Sequence, residues 1–213
     1  MSALDSYRHL WRPGQAPEAP TLVLFHGTGG TAADMLRLGQ AVAPEAAMLA
    51  LEGDVDEHGQ ARFFRRRAEG DYDLDDLARR TTAVGRFLEA AFAEYRIDGE
   101  TGVGIGYSNG ANILANLSFG APRLMRRIGL MHPLIPFVPQ IAPAEGLTVT
   151  ITAGQQDPIC PPDLTRRLES AYRRAGADVA TLWHPGGHEI RPGEIAAVRD
   201  LISPDPDQKM RSA

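Results

Sequence analysis

A serine set between two glycines is the first feature of the sequence that could carry chemistry. Residues 106–110 read Gly-Tyr-Ser-Asn-Gly, a G-x-S-x-G pattern. Such a short pattern also arises by chance, but this one lies between a buried apolar strand and a predicted helix, as a nucleophile elbow requires. Glycine is expected at 106 and 110 because side chains there would collide across a sharp turn. The pattern predicts that Ser108 is the nucleophile of an acyl-transfer reaction.

A serine hydroxyl needs a base and an orienting acid, which in this arrangement follow the serine in the order acid, then histidine. Asp157 follows the apolar run 148–153 and precedes Pro158, which disfavours helix at Asp157. His188 follows the next predicted strand, after two glycines that let the loop fold back. We predict that Asp157 is the acid and His188 the base. The alternatives are that Asp157 only forms a turn and that His184, nearer the strand, is packed in the core.

The oxyanion formed on attack needs backbone N–H donors. Asn109 follows the nucleophile at a helix N-terminus, and Thr28 lies in the glycine-rich loop after the first buried strand. We predict that these two residues form the oxyanion hole. His26 is expected to hydrogen-bond the loop without chemical work. Gly29 and Gly30 fit an oxyanion loop or a simple tight turn equally well.

Apolar runs of strand length alternate with helical periodicity along the chain, which predicts α/β class with a mainly parallel sheet and helices on both faces. The predicted strands are 7–12, 21–25, 46–51, 102–107, 127–131, 147–153 and 178–183. The predicted helices are 31–43, 75–95, 109–119, 162–175 and 191–202, with Thr31 as a cap of the first.

One domain is expected over residues 1–202, with a disordered polar tail at 203–213. No helical block is large enough for a cap domain. The stretch 52–73 is predicted to be irregular, and it offers the only obvious material for a lid.

Composition narrows the functional class. The 213 residues carry a net charge of −5, which gives no reason to expect nucleic acid as a partner. The single cysteine excludes an internal disulfide, and the sequence predicts no metal site, no cofactor, no signal peptide and no membrane span. A cytoplasmic location is expected, and a homodimer is left open.

Taken together, these motifs resemble the phospholipase/carboxylesterase family, which includes small bacterial carboxylesterases and acyl-protein thioesterases. The resemblance rests on 26–30 (His-Gly-Thr-Gly-Gly), 106–112 (Gly-Tyr-Ser-Asn-Gly-Ala-Asn), 156–159 (Gln-Asp-Pro-Ile) and 187–189 (Gly-His-Glu). It covers about 22–202 and implies a single-domain α/β-hydrolase fold without a cap, cleaving carboxylic esters without a cofactor. The elbow 107–112 and the segment 62–66 look closest to a bacterial esterase branch. Asn109 stands where the thioesterase branch usually has glutamine, which weakens the protein-thioesterase interpretation.

Other residues allow two interpretations. Phe63 and Phe64 could line an acyl pocket, but we favour a role as core anchors. Arg65–Arg67 could attract an anionic substrate, although a charge run is more often a solvated face. Cys160 is expected near the site without acting as a nucleophile. His132 could border the pocket or simply end a strand.

The sequence therefore predicts a serine carboxylesterase acting on small or short-acyl esters through an acyl-enzyme. An acyl thioesterase or a lysophospholipase-type acyl hydrolase is the alternative within enzymes. A non-catalytic binding protein on a hydrolase scaffold is the alternative from another class. Reaction with a fluorophosphonate probe would separate the enzymes from the binding protein.

Overall fold

A mostly parallel sheet organises the molecule. The computed structural model describes residues 3–15 and 20–202, so the predicted tail at 203–213 lies outside the described residues. The strands are β1 His9–Arg12, β2 Thr21–Phe25, β3 Ala47–Leu51, β4 Val55–Glu57, β5 Gln60–Arg62, β6 Arg66–Ala68, β7 Asp71–Tyr72, β8 Val103–Tyr107, β9 Arg127–Met131, β10 Thr148–Gly154 and β11 Asp178–His184. The helices are α1 Ala32–Val42, α2 Leu74–Tyr95, α3 Asn109–Gly120, α4 Pro162–Arg174 and α5 Pro192–Ile202.

The main sheet has seven strands in the order β1-β3-β2-β8-β9-β10-β11. Only β1 is antiparallel to its neighbour, and the other pairings are parallel. Helices α1 and α5 cover one face, while α2, α3 and α4 cover the other. The predicted class, the mainly parallel sheet and the helices on both faces are confirmed. The central strands are apolar throughout because both of their faces are buried.

Strand register brings the candidate site together. Tyr107 pairs with Met131, Met131 with Thr152, and Gly154 with His184. The loops that follow β8, β9, β10 and β11 therefore leave the sheet side by side at its carboxyl edge. Residues from four distant parts of the chain meet there for this reason.

The segment 52–73 differs from its prediction. We expected irregular chain, but it forms two short antiparallel hairpins, β4–β5 and β6–β7. Strands of two or three residues are too short to show an alternating pattern. Phe63 and Phe64, between the hairpins, are both fully buried, which confirms the interpretation as core anchors.

Helix ends follow the local sequence. Thr31 and Asp34 form a capping box at α1, where each side chain accepts the other's backbone N–H. Asp73 caps α2, and Arg96 ends it in the left-handed conformation. Among the described helices, none combines the length and the apolar character that crossing a membrane requires.

Candidate active site

Ser108 sits on a sharp turn between β8 and α3. Its backbone has φ of 52°, a strained value for a residue with a side chain, and its N–H donates to Met131 O at 2.9 Å. A Cβ atom on Gly106 would lie 2.5 Å from Gly110 O, whereas one on Gly110 would strike the carbonyl oxygen of Phe25 in β2. Glycine is thus needed at 106 by the turn itself and at 110 by the neighbouring strand.

The structure brings Ser108, His188 and Asp157 into one line of contacts. His188 Nε2 lies 2.9 Å from Ser108 Oγ, and His188 Nδ1 lies 2.7 Å from Asp157 Oδ2. The Tyr107 hydroxyl donates to His188 O at 2.8 Å and fixes the histidine loop against the elbow. A serine, an imidazole and a carboxylate in this order can pass the serine proton to the imidazole and stabilise the resulting charge.

Asp157 is held in place by four contacts. Its Oδ1 accepts the backbone N–H groups of Ile159 at 2.8 Å and Cys160 at 3.0 Å. Its Oδ2 faces His188 and also His132, the latter at 2.9 Å. Burial raises the pKa of Asp157, but these donors outweigh it and leave the pKa below its ordinary value. The carboxyl group is therefore ionised at neutral pH.

The two predicted oxyanion residues, Thr28 and Asn109, flank Ser108 in the same cleft. Asn109 is the first residue of α3, so its N–H has no acceptor within the helix. Both residues are held by the segment 52–73. Arg62 Nη1 donates to Thr28 Oγ1 at 2.6 Å, and the Phe63 N–H donates to Asn109 Oδ1 at 2.8 Å.

His26 supports the loop that carries Thr28. Its Nδ1 lies 2.6 Å from Gly27 O, and the Gly53 N–H donates to its Nε2 at 2.9 Å. Burial lowers the pKa of His26, which favours the neutral ring that accepts this bond. The expectation that His26 hydrogen-bonds the loop is confirmed.

Ser108 and His188 line a cleft of about 240 Å³. Most of its other lining groups are polar, and they come largely from the hairpins and α3: Gln60, Arg66, Glu69, Tyr72 and Asn112. The apolar part of the wall is formed by Leu134, Ile159 and Cys160. A cleft this small and polar suits a compact substrate rather than a long hydrocarbon chain.

The arginine run is largely neutralised where it meets the cleft. Arg66 Nη2 lies 2.8 Å from Glu57 Oε2, and Arg66 also contacts Glu69. Arg67 points outward, with 72% of its side chain exposed. These pairings neutralise Arg66 inside the cleft, which argues against an attraction for anions.

Comparison with known proteins identifies the family. No protein-family model matches the chain. The Bacillus subtilis protein named "Putative hydrolase MhqD" is 35% identical over 197 residues, covering 91% of this chain and 96% of that protein. The Bacillus cereus carboxylesterase has a similar structure, with a TM-score of 0.89 and 39% identity over 93% of this chain and 94% of its own. The chain belongs to the phospholipase/carboxylesterase family.

This esterase-family hydrolase also resembles a protein of unknown function, Atu2452 of Agrobacterium tumefaciens. The two are 48% identical with a TM-score of 0.88, and the match covers 96% of this chain and 99% of the other. The predicted α/β-hydrolase fold and the hydrolase class are confirmed by the similarity to the Bacillus cereus and Bacillus subtilis proteins. The roles of Ser108, His188 and Asp157 remain predictions.

The positions of two buried residues of this hydrolase were not predicted from the sequence. His132 does not line the cleft but lies behind Asp157, fully buried, with its Nε2 atom 3.0 Å from Glu194 Oε1. Glu194, at the start of α5, is also fully buried and accepts from Thr152 Oγ1 at 2.5 Å. No sequence spacing links these residues, because α5 reaches the site only by packing across β9 and β10.

The same region contains the groups that a metal ion would prefer. His132, Asp157 and His188 form one set and His132, His184 and Glu194 another, each with ligand atoms within 4.8 Å of one another. In the first set, the Nδ1 atoms of His132 and His188 both lie at hydrogen-bond distance from Asp157 Oδ2. In the second set Glu194 already accepts from Thr152 and from the Arg191 N–H at 2.7 Å. We therefore interpret the region as a proton-bearing network.

Proposed function

We propose that this hydrolase is a carboxylesterase that cleaves small or short-acyl esters through a covalent acyl-enzyme. The observation that carries the proposal is the line of contacts from Ser108 through His188 to Asp157, at 2.9 and 2.7 Å, opening on a small polar cleft. The 39% identity to a protein described as a carboxylesterase supports the same reaction.

In the proposed first step His188 Nε2 takes the proton of Ser108 while Oγ attacks the ester carbonyl carbon. The oxyanion that forms accepts the N–H groups of Thr28 and Asn109. Asp157 keeps the His188 ring oriented and stabilises its positive charge. His188 then protonates the leaving alcohol, and the carbonyl re-forms as the acyl-enzyme.

In the proposed second step water takes the place of the alcohol. His188 accepts a proton from water as the oxygen attacks the acyl-enzyme, and it returns that proton to Ser108 Oγ as the carboxylic acid leaves. The side chain of His188 is 17% exposed, so water can approach the ring that must activate it.

The polar cleft argues against the lysophospholipase-type alternative. A long acyl chain would need an extended apolar surface, whereas polar side chains form most of this wall. A thioester with a short acyl group would fit the same space, so the choice between ester and thioester is left to experiment.

We expect hydrolysis of p-nitrophenyl esters to be fastest with acetate or butyrate and to fall toward palmitate. Ser108→Ala should lower kcat by about 10⁴-fold or more, because it removes the nucleophile. Ser170→Ala, at an exposed serine on α4, is the matched control and should keep wild-type activity. Ester hydrolysis that survives in Ser108→Ala would refute the proposal. Activity on thioesters alone would move the enzyme to the thioesterase alternative.

A further inference from the structure

We propose that His132 is a positioning residue: held as an imidazolium between Asp157 and Glu194, it fixes the acid of the triad and sets the acidity at which His188 works. The proposal rests on the proposed function, since it extends the line Ser108–His188–Asp157 by two buried members. The extended line runs Ser108, His188, Asp157, His132, Glu194.

The His132 ring lies between two buried carboxylates. Its Nδ1 lies 2.9 Å from Asp157 Oδ2, and its Nε2 lies 3.0 Å from Glu194 Oε1. An ionised carboxylate only accepts, so both ring nitrogens can satisfy their neighbours only if both carry a proton. The Nε2–H direction misses Glu194 Oε1, so that contact is an ion pair rather than an aligned hydrogen bond.

Six titratable groups of the described chain surround the His132 ring. The titratable groups that face His132 come from five elements or loops: Tyr107, Asp157, Cys160, His184, His188 and Glu194. Burial raises the pKa of Tyr107 to about 12 and raises the pKa of Cys160 strongly, so both stay neutral near pH 7. His184 Nδ1 accepts the Gly186 N–H at 3.1 Å, and its Nε2 lies 3.3 Å from Glu194 Oε2.

The two carboxylates are ionised despite their burial. Burial raises the pKa of Glu194, but contacts from His132, Thr152 and the Arg191 N–H outweigh it and lower the pKa overall. Burial likewise lowers the pKa of His132, and its contacts with Glu194 and Asp157 outweigh that effect and raise it. The geometry and the charge balance therefore agree on a cation between two anions.

The backbone of His132 is strained as well. His132 is one of four described residues other than glycine with positive φ, at 52°, and Ser108 is another with the same value. A strained conformation persists where its surroundings enforce it, and such residues cluster at functional sites. Here the His132 N–H donates to Thr152 O at 2.9 Å, and His132 O accepts from Cys160 Sγ at 3.3 Å.

The charges of His132 and Glu194 determine how the pair affects the protonation of His188. His132 and Glu194 add one positive and one negative charge, so the pair adds a donor to Asp157 without changing the net charge behind His188. Loss of His132 alone would leave the Glu194 charge uncompensated. That extra negative charge would stabilise protonated His188 and move the acid limb of the kcat/KM profile to higher pH.

The first experiment measures protonation and needs no catalysis. Nitrogen-15 NMR of the wild-type chain, with His132 assigned by its loss in His132→Gln, should show both ring nitrogens protonated at pH 7. A ring with one unprotonated nitrogen would overturn the proposal. This result holds whichever ester or thioester the enzyme cleaves, so it also separates failure of this proposal from failure of the proposed function.

The second experiment measures pH profiles on folded variants. His132→Gln should move the midpoint of the acid limb upward by about half a pH unit or more and lower kcat about tenfold or more, with KM little changed. Adding Glu194→Gln removes the stranded charge and should return the midpoint toward the wild-type value. Thr152→Val, which deletes an uncharged contact to the same Glu194 oxygen, should leave the midpoint in place.

A role confined to filling the core predicts a different pattern. His132→Gln would then lower stability without moving the acid limb, and the double variant would be no closer to wild type than the single one. Either result in variants with a wild-type circular dichroism spectrum would refute the positioning role. If His132→Gln does not fold, the His132 ring is assigned by through-bond correlation to its own backbone, and the NMR measurement on the wild-type chain then decides.

Discussion

At the scale of single residues, Asn109 joins two parts of the site. Its backbone N–H is a proposed oxyanion donor at the start of α3. Its side-chain oxygen, Oδ1, accepts the Phe63 N–H at 2.8 Å and so ties the segment between the hairpins to the elbow. Because one role belongs to the backbone and the other to the side chain, substitution can separate them.

We expect Asn109→Ala and Asn109→Asp to fail in different ways. Alanine keeps the backbone donor but leaves the buried Phe63 N–H unpaired, which should lower the free energy of unfolding by about 1–3 kcal/mol and change kcat less than tenfold. Aspartate keeps an acceptor and suits a helix N-terminus, but its charge opposes the oxyanion, so kcat should fall about 100-fold or more. Urea unfolding and kcat measure the two effects. Equal losses of kcat in both variants would contradict the backbone role.

The order of the serine, the acid and the histidine along the chain predicted part of the site, and the rest is visible only in the structure. Ser108, Asp157 and His188 each follow a recognisable strand, so the parallel sheet makes their meeting predictable. Glu194 follows no strand and reads as an ordinary acidic residue in the first turn of a helix. Its place beside His132 depends on how α5 packs across the sheet, which a local pattern does not encode.

At the scale of elements, the segment 52–73 is built into the core. The Phe63 ring meets Phe25 edge to face with centroids 5.6 Å apart and also lies 4.8 Å from His26. The Arg65 N–H donates to Asp76 at 2.8 Å, which fixes the segment to α2. The segment is therefore part of the wall behind the oxyanion loop.

Truncation of this anchor should weaken the whole fold. We expect Phe63→Ala to lower the free energy of unfolding by about 3–5 kcal/mol, because it leaves a cavity among fully buried side chains. Val138→Ala removes an apolar side chain that is 73% exposed and should change stability by less than about 0.5 kcal/mol. Urea denaturation of both variants tests the difference. A Phe63→Ala loss no larger than that of Val138→Ala would show that the segment is detached from the core.

The strands of the main sheet that are buried on both faces could be predicted from the sequence. The hairpin strands, which are held by tertiary contacts, could not. The runs 22–25 and 128–131 contain no polar side chain and are fully buried, and the strands that contain them agree with the prediction. The hairpin strands are polar and short, and Arg62 owes its burial to its partners Thr28 and Phe64 rather than to its own character. Such strands carry no periodicity that a sequence could reveal.

At the scale of the whole molecule, the buried charges should make the free energy of unfolding fall at both low and high pH. The pKa values of Asp157 and Glu194 are lowered, so their contribution is complete above the unfolded values of about 4 and is lost as pH falls through the lower folded values. The pKa of His132 is raised, so its contribution is complete below about 6.5 and is lost as pH rises through the folded value.

The stability difference between wild type and His132→Gln/Glu194→Gln should therefore peak between about pH 4.5 and 6.5 and shrink on either side. Urea unfolding of both proteins at pH values from 4 to 9 measures this difference. A difference that stays constant over the whole range would show that neither group changes its pKa on folding.

The anchoring of the segment 52–73 also bears on the physical state of the substrate. Its contacts with Thr28 and Asn109 mean that lifting it would pull apart the proposed oxyanion hole instead of opening a path to Ser108. Residues 3–15 and 20–202 therefore provide no lid that an oil–water interface would need to open. We expect its rate to follow the concentration of dissolved ester, with no jump where the ester begins to form droplets or micelles.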